Sequence, residues 1–254
     1  MVAARAGKGA TYYQQATELP DLKATVPDYA EVNAQVLQDV LRRLDKTFQA
    51  FFRRVQAGET PGYPRFHGRD RYTSFTCPQV GEHGGAALDG GLLSLSKIGR
   101  IPIRLHRPLE GTPKTVTVSR EADGWYACIS CADVPVQPLP PTGQETGIDL
   151  GIEAFATFSD GTRIFNPGWC RKAERALNTA QRRVSRRKKG SNRRRKAVTL
   201  LAKAHQKVRR QRRDFHHKTA LTLVCENDAI YHEALQPANM VKHHHLAKSI
   251  SDAG

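Results

Sequence analysis

A chain of 254 residues with a net charge of +16 can hold one large domain or two small ones, each with its own core. It has no run of about 18 apolar residues, which excludes a membrane-spanning helix, and residues 1–10 have no apolar stretch behind them, which excludes a secretory signal. Five cysteines (Cys77, Cys128, Cys131, Cys170 and Cys225) are an odd number and fit reduced thiols in a cytoplasmic protein.

The first predicted element is a helix opening at Pro27 and Asp28. Val32, Val36, Val40, Leu44, Phe48, Phe51 or Phe52, and Val55 recur close to the helical period, with Arg42, Arg43, Arg53 and Arg54 on the other face. Gly58 and the turn cluster Pro61-Gly62-Tyr63-Pro64 end it. From about 70 to 136 the chain reads as all-β, with strands predicted over 72–77, 92–96, 100–106, 114–120 and 125–132. Pro102 inside the third of these predicts an edge strand, and a small barrel or half-barrel fits the set best. Cys128 and Cys131 stand three apart on a strand and so point to opposite faces, a poor geometry for one metal. No second Cys pair follows to make a zinc ribbon, so no zinc is expected in this chain. Residues 134–141, rich in proline, read as an extended linker.

The third region begins at Thr146. In Gly147-Ile148-Asp149-Leu150-Gly151, alternation places Asp149 on one face between two glycines, which leaves room for a metal or a phosphate. Residues 154–158 form a second strand, Ser159-Asp160-Gly161 a hairpin turn, and 162–165 a third strand. A basic helical pair follows over 171–226, with thin apolar seams and a break at Gly190-Ser191-Asn192. A fourth strand over 229–233 ends in Glu233, and 240–250 is again predicted helical. Three strands in a meander, a helical excursion and a fourth strand, with one acid on the first and one at the end of the fourth, is how RNase H-fold nucleases begin.

Charge placement matters more than its total. Residues 171–213 hold 19 Lys or Arg and one acid, Glu174, a local net of +18 that leaves the rest of the chain at −2. Such a block neutralises phosphate backbones by releasing counterions, without reading sequence. The candidate nucleic-acid contacts are Arg182, Arg183, Arg186, Arg187, Lys188, Lys189, Arg193, Arg194, Arg195, Lys196, Arg209, Arg210, Arg212 and Arg213. The bland alternative is a solvated helix face, but such faces mix signs for i,i+4 pairing. His243-His244-His245 beside Lys242 reads as part of the basic surface, because three consecutive histidines rarely converge on one ion.

These residues closely resemble the TnpB (OrfB) family of insertion-sequence proteins. The resemblance rests on Gly147-Ile148-Asp149-Leu150-Gly151, Phe155-Ala156, Ser159-Asp160-Gly161, the run from Gln181 to Ser191, Arg212-Arg213-Asp214-Phe215-His216-His217-Lys218 and the stretch from Leu246 to Gly254. Leu44 to Phe52, Gly62-Tyr63-Pro64-Arg65-Phe66 and Ser74-Phe75 extend it over nearly the whole chain. It implies an RNA-guided DNA endonuclease with guide RNA and target DNA as partners. The implied fold class is α/β with an all-β module: a helical recognition-lobe segment over 1–66, a β-barrel wedge domain and linker over 67–140, and an RNase H-like (RuvC) domain over 141–254 that is incomplete at its C-terminus. Asp149 and Glu233 would match the first two metal-binding, catalytic acids, holding Mg²⁺ for two-metal phosphodiester hydrolysis. The family has a strand and helical segment upstream, and beyond the position of Gly254 a fifth strand, a zinc ribbon and a third catalytic Asp. Asp252 is not a substitute for that acid. This chain is therefore expected to bind nucleic acid without cutting it, or to serve as a non-catalytic, repressor-like or regulatory binding module.

Overall fold

The computed structural model describes residues 11–68 and 71–253, so the reading of residues 1–10 lies outside the described residues. The chain divides into two compact units, 1–136 and 137–254. Among the described residues no helix is long and apolar enough to cross a membrane.

The first unit opens with short helices, α1 (Tyr12–Thr17), α2 (Leu19–Thr25) and α3 (Pro27–Ala30), before the long α4 (Ala34–Gln56). Thr11 and Gln14 cap α1 reciprocally, each side chain accepting the other's backbone N–H. The single helix expected from Asp28 is broken. Pro27 and Asp28 start only one turn, and the chain restarts at Asn33, whose side chain accepts from Gln35 N at 2.9 Å.

Six strands follow: β1 (Ser74–Cys77), β2 (Ala86–Asp89), β3 (Leu92–Leu95), β4 (Gly99–Pro102), β5 (Thr112–Arg120) and β6 (Trp125–Ala132). They form two three-stranded antiparallel sheets, β1-β5-β6 and β2-β3-β4. The expected barrel is therefore not closed among the described residues. Pro102, with no N–H to donate, ends β4 at a sheet edge, so the strand expected over 100–106 stops there; residues 103–111 form no strand, although Ile103 N still donates to Gly91 O at 2.8 Å. The strand β2 was missed by the periodicity. The core is Cys77, Ala86, Leu93, Leu95 and Val116, with Val36 of α4 packed on it. Alternation is clean in β3, where Leu93 and Leu95 are buried and Leu92 faces out. Arg43 ties α4 to β1, pairing with Asp39 at 2.7 Å and donating to Thr76 Oγ1 at 2.6 Å. The far end of α4 instead shows solvent an aromatic cluster of Phe48, Phe51, Phe52 and Tyr63.

The second unit contains β7 (Glu145–Asp149), β8 (Ala154–Phe158), β9 (Arg163–Phe165), α5 (Trp169–Ser185), α6 (Asn192–Glu226), β10 (Ala229–His232), α7 (Pro237–Met240) and α8 (Ala247–Ala253). Its one described sheet has the order β10-β7-β8-β9, with β10 parallel to β7 and the rest antiparallel. The long helix α6 has 35 residues, about 52 Å at 1.5 Å per residue. Leu177 and Val184 of α5 and Ala197 and Val208 of α6 form the thin buried seam expected of the pair. The helix expected over 240–250 is instead two short helices, with 241–246 in turns that carry His243, His244 and His245.

Candidate nucleic-acid interface and carboxylate pair

β7 and β10 run side by side, with Ala229 level with Glu145, Tyr231 with Gly147 and His232 with Ile148. The paired register ends there, one residue before Asp149, the last residue of β7, and Glu233, which follows β10. Level residues on neighbouring strands share a face. The Tyr231 hydroxyl donates to Glu145 Oε2 at 3.2 Å, so the odd-numbered residues of both strands lie on one side of the sheet. That bond and the Glu145 charge push the Tyr231 hydroxyl's pKa up. Asp149 and Glu233 are both exposed.

The two glycines flanking Asp149 differ. Gly147 occupies the same face, and a Cβ there would meet Ser159 Cβ at 3.7 Å, an ordinary contact. At Gly151 a Cβ would come within 2.9 Å of the Ala154 carbonyl oxygen. Its missing side chain is therefore required by the turn from β7 to β8.

Asp228, which the sequence reading passed over, sets where β10 begins. Its carboxylate accepts from Thr142 N at 2.8 Å, Thr142 Oγ1 at 3.0 Å and Gly143 N at 2.8 Å, tying the end of the linker to the α6–β10 junction. The Thr142 and Gly143 amides, then the Thr142 hydroxyl, hold this carboxyl below its ordinary range. Asp160 is held low in the same direction by the Thr162 hydroxyl and amide. A depressed carboxyl contributes stability that is present above its unfolded-state pKa and lost as pH falls through the folded value. Urea unfolding of this unit is therefore expected to become easier as pH falls through and below the ordinary carboxylate range. Asp228→Asn, which keeps an acceptor oxygen and loses the charge, should remove part of that acid sensitivity; an unchanged pH profile would contradict the assignment.

The basic residues lie along a helical hairpin whose tip is 186–191. Ser191 builds the turn, its Oγ donating to Lys188 O at 2.8 Å and accepting from Arg194 N at 3.2 Å. Arg182, Arg183, Arg186, Arg187, Lys188, Lys189, Arg193, Arg195 and Lys196 are exposed around it, and Arg209, Arg210 and Arg213 are exposed further along α6. Two candidates turn inward. Arg194 Nη1 donates to Val184 O at 3.0 Å and Arg187 O at 3.3 Å, holding the end of α5, and Arg212 donates to the Ser251 carbonyl.

Elsewhere, Cys128 and Cys131 lie in β6, the first exposed and the second half-buried. Among the described residues no group of three His, Cys, Asp or Glu could hold a metal ion.

The profile of the OrfB_IS605 family, described as "Probable transposase", matches residues 116–244. A Streptomyces pristinaespiralis protein named "Putative RNA-guided DNA endonuclease" is 37% identical over 251 residues, covering 96% of this chain and 60% of that protein. The Escherichia coli K12 protein InsQ, named likewise, is 34% identical over 213 residues, covering 82% of this chain and 50% of that protein. The chain thus spans between half and three-fifths of the length of these relatives.

Proposed function

Because the chain belongs to the TnpB (OrfB) family of insertion-sequence proteins, we propose that it is the nucleic-acid-gripping part of an RNA-guided DNA endonuclease, with guide RNA and target DNA as partners. The observation that carries this reading is the sheet order β10-β7-β8-β9, which sets the strand ending in Asp149 beside the strand that precedes Glu233, with a basic hairpin inserted between the third and fourth strands. That strand order supports an RNase H-like (RuvC) fold for residues 137–254. The two relatives named as RNA-guided endonucleases support the choice of partners.

In this reading the residues divide the labour. The exposed cations of the hairpin bind phosphate without reading sequence, and sequence choice falls to base pairing with the guide. Asp149 and Glu233 offer hard oxygen donors of the kind Mg²⁺ takes, and two like charges brought together at the ends of adjacent strands would favour a cation between them. When bound, Mg²⁺ supplies an activated water and steadies the leaving oxygen. The chain's own contribution would be to bring the two carboxylates to the same end of a parallel strand pair. The free state of all five cysteines is in keeping with a cytoplasmic location.

A second reading, a binding module without cleavage, is favoured by one observation: no group of three metal-ligating side chains forms among the described residues.

Titration of a labelled RNA oligonucleotide at several salt concentrations tests the shared part of both readings. If six or more phosphates are neutralised, affinity should fall on the order of a thousandfold between about 50 and 200 mM salt. A shallow dependence would mean that the hairpin is only a solvated surface.

A further inference from the structure

Asp252 stands 82 residues from Cys170 in the chain, yet its carboxylate is spent on the first turn of α5. Oδ1 accepts from Cys170 N at 2.7 Å and Oδ2 from Arg171 N at 3.0 Å. The residue that precedes this helix, Gly168, is left-handed at φ 60° and has no side chain with which to cap it. A carboxylate from elsewhere therefore satisfies two of the amides that every helix start leaves open, and it complements the helix dipole.

The same short helix, α8, also reaches the other arm of the hairpin. Arg212 of α6 donates to the Ser251 carbonyl, and His216 Nε2 lies 2.7 Å from the Ala253 carbonyl oxygen. The His216 ring stacks on Phe155 of β8, with centroids 5.2 Å apart and planes 19° apart. Ile250 is buried beneath these contacts. Lys248 pairs with Glu174 at 2.6 Å, but both are substantially exposed, and such a pair contributes little.

We propose that α8 is a clasp across the root of the basic hairpin, and that Asp252 is a positioning residue for its grip on nucleic acid. Asp252 fixes where α5 starts against α6 and the sheet, and so the direction in which the cationic tip projects, without itself touching phosphate. The functional half of this proposal rests on the nucleic-acid reading given above.

The test uses the full 254-residue chain carrying Trp125→Phe, which leaves Trp169 at the start of α5 as the sole indole. Asp252→Ala should speed amide exchange at Cys170 and Arg171 about tenfold, as loss of a helix cap does, and shift Trp169 emission to the red. Affinity for a mixed-sequence RNA oligonucleotide should fall about three- to tenfold at fixed salt, while the slope against salt stays at the parent value because the phosphate contacts are the same in number. Asp252→Asn, which retains one acceptor oxygen, should recover part of each change, and it carries the same comparisons if the alanine variant does not fold. Lys248→Ala should be neutral. Unchanged exchange and emission would overturn the clasp, and so would altered exchange with unaltered affinity. A parent chain with no salt-dependent binding would refute the hairpin reading and with it the part Asp252 plays in grip, whatever the exchange rates show.

Discussion

Replacing Arg186, Arg187, Lys188 and Lys189 together by glutamate is expected to cost about three orders of magnitude or more in affinity for duplex nucleic acid at 0.1 M salt. The same change should reduce the slope of log K against log salt by about 3 to 4, because each neutralised phosphate contributes about 0.9. These four residues are the exposed tip of the hairpin, where α5 ends and the turn to Ser191 begins. A tip of one charge sign has no internal acid to pair with, so its cations are free to act together on a phosphate backbone. Arg194 makes a poor addition to the set. Its guanidinium holds the Val184 and Arg187 carbonyls, so changing it would disturb the tip as well as its charge. Nitrocellulose filter binding of parent and variant across a salt series makes the measurement. Equal slopes for the two proteins would show that the tip faces solvent and not phosphate.

Incubated with a cognate guide, matching DNA and Mg²⁺, the 254-residue chain is expected to bind without cutting above background. The reason lies in ligand number. Asp149 ends β7 and Glu233 follows β10, and no group of three metal-ligating side chains forms among the described residues. Asp252 cannot serve, since both of its oxygens are occupied at the start of α5. Phosphodiester cleavage needs the reacting groups held within about 0.5 Å of productive geometry, and loss of one charge-stabilising contact alone costs on the order of a hundred- to a thousandfold. Denaturing gels of nicked plasmid provide the assay. Guide-dependent nicking that disappears in Asp149→Ala would overturn the expectation.

Much of the second unit was legible because its signals are local. The hairpin turn Ser159-Asp160-Gly161, the apolar seam of Leu177 and Val184, and the break at Gly190 each declare themselves within a few residues, and strands and helices lie within a few positions of the expected ones. The first unit was less legible where tertiary packing decides. The helix expected from Asp28 starts instead at Ala34, since the Asn33 cap sets the boundary and Val36 just inside it reaches the core. The barrel expected over 67–140 is two open sheets, because closure depends on which strand edges meet and no periodicity encodes that. At the candidate site the acids themselves were readable as residue types at strand ends. That their strands are neighbours was not, as it depends on the parallel pairing of segments more than 80 residues apart, pinned in part by Asp228 on Thr142 and Gly143. The inward turn of Arg194 and Arg212 was equally invisible, since an arginine bound to a carbonyl and one facing a phosphate look alike in a sequence.

We propose that the carboxylates of Asp149 and Glu233 share one divalent ion. Iron(II) in place of Mg²⁺, with peroxide and ascorbate, generates radicals that cut the backbone beside a bound metal, and mass spectrometry of the fragments locates the cuts. The predicted result is paired cleavage next to 149 and next to 233, both suppressed by excess Mg²⁺ and both lost in Asp149→Ala. Cuts at one strand alone, or at the histidines 243–245 instead, would contradict the account.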